Sequence, residues 1–250
     1  MDLANIQPIL NESALLIKDK KILIIADLHI GIEAELKEQG INAESQTHKM
    51  TERIKKICKK YKIKEIILLG DIKHNIPFST NLEIKDVQNF LKEVQKLGII
   101  HIIPGNHDGN IDRLTPEKMN IYSSEGFIID NIGFIHGHRW PSTDLMNCDQ
   151  IIIGHTHPTI MLTDRLEYKT FEPCWIKGKI LKEKLIEKYP NSKNPEILVI
   201  PAFNPLCGGI AANKDGINGP VGKIIDINNS QIFLLDGTSL GKVINITYYK

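Results

Sequence analysis

The chain has 250 residues, 42% hydrophobic and 24% charged, which is the composition of an ordinary globular protein. Its 31 basic and 30 acidic residues leave a formal charge of +1, which excludes a strongly basic nucleic-acid module and an acidic disordered tail. A chain of this length buries roughly 70 to 75% of its unfolded surface, so its core needs no disulfide and no structural metal.

Cys58, Cys148, Cys174 and Cys207 lie far apart with no C-x-x-C pair, which argues against a zinc ribbon or a disulfide framework and fits a reducing cytoplasm. No apolar run approaches the roughly 18 to 20 residues of a membrane span. Asp2, Asn5 and Gln7 stand where a signal peptide would carry a basic lead and an apolar stretch. The expectation is a cytoplasmic protein without a membrane partner.

In chain order, β-branched runs that end in polar clusters predict buried strands at Lys21 to Ala26, Glu65 to Leu69, Ile99 to Ile103, Gly133 to Ile135 and Gln150 to Ile153. Helical spacing falls between the first three, over Ala43 to Tyr61 and Leu82 to Leu97; the second begins after Ser79, Thr80 and Asn81 and stops at Gly98. Strand, helix, strand, helix, strand implies right-handed parallel crossovers. After Gly154 the pattern becomes strand-rich, with Ile160 to Leu162, Ile197 to Ile200, Lys223 to Ile227, Gln231 to Leu235 and Val243 to Tyr248 predicting a second sheet. The lysine-rich stretch 177–194 reads as a helical insertion closed by Tyr189 and Pro190, and Cys207 to Gly222 as a long loop. The expected fold is α/β: residues 1–250 as one domain, two mixed sheets packed face to face as a sandwich and flanked by helices, four layers in all.

The polar residues at the strand ends carry the chemistry. The first run ends in Asp27-Leu28-His29-Ile30-Gly31, the second in Gly70-Asp71-Ile72-Lys73-His74, and the third in Gly105-Asn106-His107-Asp108. The fourth continues into His136-Gly137-His138 and the fifth into Gly154-His155-Thr156-His157. Carboxyl ends of strands in an α/β sheet converge on one edge, so five clusters of metal-ligand residues face one crevice. Asp27 and His29, two apart, share a face if the stretch is extended. Carboxylate, imidazole and amide oxygen together suit Mn²⁺, Fe²⁺ or Zn²⁺ better than Mg²⁺, which avoids imidazole, or copper, for which thiolates are missing. Asp71, midway in the series on a tight Gly-Asp turn, is assigned the bridge between two ions about 3.5 Å apart.

In order, these five blocks resemble the signature of the calcineurin-like metallophosphoesterase superfamily: D-x-H, G-D-x-x-(D/H), G-N-H-(D/E), a later His, then G-H-x-H. The resemblance implies two divalent ions, Mn²⁺ foremost, with Fe²⁺, Zn²⁺ or Ni²⁺ as other occupants. One would be held by Asp27, His29, Asp71 and His157, the other by Asp71, Asn106, His136 and His155. It makes His107 the acid beside the metals. His74, where many phosphoprotein phosphatases carry Asp, and the Asp27 to Gly31 block look like the recombination-repair nucleases. His136 to Pro141 and Pro201-Ala202-Phe203-Asn204-Pro205 look like the branch that includes the DNA-ligase-associated phosphoesterases.

The expected activity is therefore a binuclear metal-dependent phosphodiesterase, a nuclease on DNA or RNA, in which a metal-bridging hydroxide attacks phosphorus in line. Single-stranded nucleic acid is the candidate partner. His107 and His74 are the expected catalytic residues, and His138 and Arg139 the substrate contacts, Arg139 through its bidentate fork. A phosphomonoesterase on a small phosphorylated molecule is the alternative. A scaffold that has lost its metals is disfavoured because none of the expected ligands is missing. Trp140 beside Pro141 reads as packing against the fold, and the lysines of 177–194 as a solvated face.

Overall fold

The computed structural model describes residues 5–77 and 79–246. Among them the first sheet has six strands: β1 (Ile6–Pro8), β2 (Leu15–Ile17), β3 (Ile22–Ile25), β4 (Glu65–Leu68), β5 (Ile99–Ile102) and β6 (Asn120–Ile121), in that spatial order. The pairs β3–β4, β4–β5 and β5–β6 are parallel, as the crossovers required, while β1 and β2 are an antiparallel edge. The second sheet has nine: β7 (Phe127–Ile129), β8 (Ile132–Ile135), β9 (Gln150–Ile153), β10 (Pro158–Thr163), β11 (Lys169–Gly178), β12 (Glu196–Val199), β13 (Ile210–Ala211), β14 (Gln231–Leu234) and β15 (Ser239–Lys242). β12 and β8 flank β9 in parallel, and β11 runs antiparallel to β10, β12 and β14.

Alternation along the central strands sets the layers. Three helices lie between β3 and β5: the short α1 (Ile32–Glu38), then α2 (Thr47–Tyr61) and α3 (Asn81–Gln95). Leu23 and Ile25 pack, with Ile66 and Leu68, against α2 and α3. Ile22, Ile24, Ala26, Ile67 and Leu69 face the other way, onto Phe134, Ile152, Trp175 and Leu198 of the second sheet. That sheet buries Ile151, Ile153, Ile197 and Val199 on its far side, under Leu185, Ala212 and Val221. Those three come from the short helices α4 (Lys182–Lys188), α5 (Ala212–Asp215) and α6 (Gly219–Gly222). Helix, sheet, sheet, helix is the expected four-layer α/β sandwich.

α3 starts where Thr80 accepts a hydrogen bond from Glu83 N–H, 3.2 Å, and its buried Val87, Phe90, Leu91 and Val94 form one stripe. α2 stops at Lys62, whose left-handed backbone donates its N–H to Cys58 O.

Three expectations need correcting. Lys223 to Ile227 is not a strand: Pro220 starts a helical turn that runs into it, and only an isolated bridge joins Ile225 to Ile180. The predicted strand Val243 to Tyr248 is β15 shifted back to Ser239–Lys242, with a 3₁₀ turn after it at Val243–Asn245; Tyr248 lies outside the described residues. Cys207 to Gly222 is not a plain loop, since it contains β13, α5 and α6. In the lysine-rich stretch, Lys177 and Gly178 still belong to β11, and the helix is α4. Among the described residues no helix is long and apolar enough to cross a membrane.

Candidate metal centre

β3 and β4 do not part where they end. Asp27 N–H donates to Gly70 O, His29 N–H to Asp71 O at 2.8 Å, and Ile30 N–H to Ile72 O at 2.9 Å. The first two polar blocks therefore lie side by side as a continuation of the ladder. The blocks from the second sheet close over them, with His155 N–H donating to both oxygens of Asp27, 3.2 and 3.1 Å.

The backbone there is not extended, contrary to the sequence reading. Asp27, His29, Asp71, His155 and His157 have φ of 57°, 40°, 49°, 68° and 47°, in the left-handed region that L-residues avoid. Such strain concentrates at functional sites, where the surroundings hold it in place. Two glycines permit the close packing: a Cβ at Gly70 would sit 2.2 Å from His136 Nδ1, and one at Gly105 2.1 Å from Asp71 Oδ1.

Seven of the nine histidines converge on these strand ends. Several are oriented by main-chain carbonyls, which accept only: His136 Nδ1 donates to Leu69 O at 2.9 Å, His157 Nδ1 to Gly208 O at 3.0 Å, and His107 Nδ1 to His74 O. Each therefore keeps Nε2 for the interior, the arrangement that metal-ligating imidazoles require. Asp71 Oδ2 lies 3.5 Å from His29 Nε2, 3.2 Å from His136 Nε2 and 4.0 Å from His107 Nε2, while Oδ1 accepts from His107 N–H at 2.9 Å.

On one side, ligand atoms of Asp27, His29 and Asp71 lie within 4.8 Å of one another, and His157 Nε2 is 3.2 Å from His29 Nε2 and 3.4 Å from Asp27 Oδ1. On the other side, those of Asp71, His136 and His155 lie equally close. Asn106 is exposed, on the turn between Gly105 and His107 that packs against Asp71. His138 Nδ1 is buried without a hydrogen-bond partner, its ring 5.3 Å from that of His136. Arg139 is exposed and makes no ion pair among the described residues. Trp140 packs on the second core beneath Lys188 Nζ, 4.1 Å from its ring centre, as expected of a packing residue.

A cation fits this donor set. Burial pushes His29 down to about 3 and His155 to about 4, so both imidazoles are neutral, the ligating form. His136 behaves oppositely: burial lowers it, but the Asp71 carboxylate outweighs burial and raises it to about 9. Its Nε2 is fully buried, close to Asp71 yet without the alignment of a hydrogen bond. Burial also works against ionisation of Asp71, but His136 and His29 overcome it and hold the carboxyl well below its usual range.

Sequence reasoning missed several contributors. Asp108 accepts from Ile72, Lys73 and Gly105 N–H at 2.8, 3.2 and 2.8 Å, clamping the second block to the third. Glu83 accepts from His74 and Asn75 N–H, and Glu35 Oε2 lies 2.6 Å from His74 Nε2. Asn204 Nδ2 donates to Leu28 O at 2.8 Å. All four cysteines are free, in line with the absence of a disulfide framework, but the expectation that sulfur is missing from the donor set needs correcting. Cys207 lies at the centre, its Sγ within 4.8 Å of ligand nitrogens of His29 and His157. Its only signal was its place two residues after the Pro201 to Pro205 motif.

The four layers and the cluster at the strand ends define an α/β sandwich with an edge lined by carboxylates and imidazoles that could hold a metal ion. Residues 20–206 match the model of the calcineurin-like phosphoesterases, and the chain belongs to that family. A solved nuclease from Pseudomonas putida, MPE, has the same fold, with TM-score 0.61 and 19% identity over 94% of this chain and 100% of that one. Yfce, a phosphoesterase from E. coli, matches at TM-score 0.38 and 16% identity over 90% and 99%. Membership makes the chain a hydrolase of phosphoesters that uses divalent metal.

Proposed function

We propose that the chain is a binuclear phosphodiesterase that cuts nucleic acid strands. The observation that supports this most is the position of Asp71, whose Oδ2 faces His29 on one side and His136 on the other. One carboxylate between two ligand groups is the arrangement of a paired-ion site. Asp27, His29 and His157 would hold the first ion, and Asn106, His136 and His155 the second. Divalent ions held there would supply a nucleophile by acidifying water and would neutralise the nonbridging phosphate oxygens.

The remaining chemistry belongs to the chain's own groups. His107 Nδ1 is committed to His74 O, so Nε2 is the atom that holds the proton for the leaving oxygen. His74 sits between His29 Nδ1, 3.0 Å, and Glu35, which orients it toward a phosphate oxygen. His138 and exposed Arg139 lie on the second-sheet rim, where a fork of donors suits a phosphate. A diester rather than a monoester is favoured by His74 in place of the phosphatase Asp, and a nuclease, MPE, shares the scaffold.

The test is a substrate panel on metal-stripped protein reloaded with Mn²⁺. Bis-aryl phosphate should turn over faster than the matching monoester, and single-stranded DNA should be cut. Hydrolysis of monoesters alone would replace this reading with the phosphomonoesterase.

A further inference from the structure

We propose that Cys207 is a thiolate ligand of the ion between His29 and His157, so that this half of the site prefers a thiophilic ion, Zn²⁺, Fe²⁺ or Co²⁺, over Mn²⁺. The inference rests on the metal-centre reading above and adds a ligand to it.

Three observations carry it. First, Cys207 Sγ and the ligand nitrogens of His29 and His157 lie within 4.8 Å of one another. The two Nε2 atoms, 3.2 Å apart, are close enough for both imidazoles to reach one ion at bonds of about 2.0–2.1 Å. Second, the segment is pinned to the centre at both ends. Phe203 N–H donates to Ala26 O at 2.9 Å, Asn204 Nδ2 reaches Leu28 O, and Cys207 N–H donates to Asn204 O at 3.1 Å. On the far side Gly208 O accepts from His157 Nδ1, so the residue after the cysteine aims the histidine. Third, Cys207 Sγ lies 3.8 Å from Asp27 O, so the sulfur rests against the backbone of a residue that lines the same half of the site. Cys58 and Cys174 are spent in packing, the first in the helix-side core and the second in the core under the second sheet.

Thiolate is a soft ligand, and adding one to imidazole and carboxylate shifts preference toward Zn²⁺, Fe²⁺ and Co²⁺. The step is ligand exchange without redox: the Sγ–H proton leaves to solvent as the sulfur–metal bond forms. Wild type should therefore release one more proton per chain on ion uptake than Cys207→Ser.

Metal-stripped full-length chain titrated anaerobically with Co²⁺ tests this. The expected result is visible d–d absorption with a near-ultraviolet thiolate-to-cobalt band for one ion per chain. Cys207→Ser should bind as many ions, lack that band, and lose at least roughly tenfold in Zn²⁺ affinity. X-ray absorption of the Zn²⁺-loaded wild type should show one sulfur at about 2.3 Å, a readout independent of any variant. Bound Co²⁺ with no thiolate band and no zinc-bound sulfur would overturn the role of Cys207 and leave the paired-ion site standing. Failure to bind Co²⁺ at all would overturn the paired-ion site as well.

Discussion

His107 and His136 show how one main-chain carbonyl decides what an imidazole can do. Both donate Nδ1–H to a carbonyl, yet His136 Nε2 is buried against Asp71 while the His107 side chain is 20% exposed. His136 is thereby suited to hold metal, and His107, which solvent reaches, to hand a proton to a substrate bound at the centre. His107→Ala should keep both ions by elemental analysis and cut turnover by roughly 10² to 10⁴-fold. A nitrophenolate leaving group, which needs no proton, should restore part of that loss. Equal loss of metal would make His107 a ligand instead. For His136 the consequence is a pH dependence. Held at about 9, it is protonated at neutral pH in the metal-free protein and must lose that proton to ligate. Metal uptake should therefore weaken as pH falls below about 9 and release protons, read by calorimetry in buffers of differing ionisation enthalpy. His29 and His155, at about 3 and about 4, contribute no proton above pH 5. Because the folded value of His136 is raised, the His136–Asp71 attraction in metal-free protein is fully present below the unfolded value of about 6.5 and is lost as pH rises through about 9.

At the scale of elements, the second and third polar blocks are held in register by Asp108, a buried side chain that among the described residues touches no other ionisable group within hydrogen-bond distance but satisfies three buried N–H groups. Asp108→Ala strips all three of their acceptor and should cost about 3 kcal/mol or more in unfolding free energy by denaturant titration. It should also weaken metal binding, because Gly105 and the Asp71 turn lose their common anchor. A stability loss below about 1 kcal/mol would mean that water takes over the carboxylate's role. The same contacts explain what the sequence could disclose. β3 is an unbroken buried apolar run, and β4, β5 and β9 are mostly apolar, interrupted only by Glu65, His101 and Gln150, so their places and the ligands after them were legible from local pattern. Asp108, Glu83, Asn204 and Cys207 act across 36, 9, 176 and 180 residues respectively; Asp108 and Asn204 stand in motifs visible in the sequence, but no local pattern names the partner that any of the four holds. β1 and β2, three residues each, are too short for periodicity to register. β11 mixes exposed Phe171 with buried Trp175 because its two halves pair with different strands. Ile224 and Ile225 imitate a strand, yet they are buried by a turn that Pro220 begins.

In the whole molecule the centre lies on the seam between the sheets. Asp27, His29, Asp71 and His107 come from the first sheet's strand ends, and His136, His155 and His157 from those of the second. An ion pair held there therefore bonds the two halves of the sandwich to one another, and unfolding must release it. Ligand that binds only the folded state stabilises by RT ln(1 + [L]/Kd), about 2.7 kcal/mol at a hundred times Kd. For a chain of this size that corresponds to about 5 to 10 °C in Tm. Stripping the metal should lower Tm by that amount in a calorimetric scan, and Mn²⁺ or Zn²⁺ should restore it. With Asp71 as the proposed bridge, Asp71→Asn removes the charge that the two ions would share and should reduce the restoration to that of a single weakly held ion, with turnover falling to background. An Asp71→Asn protein that still gained the full shift from metal would show that the ions are held without a bridge and that the seam is closed by the apolar contact between Ile24, Ile67, Phe134 and Ile152 alone.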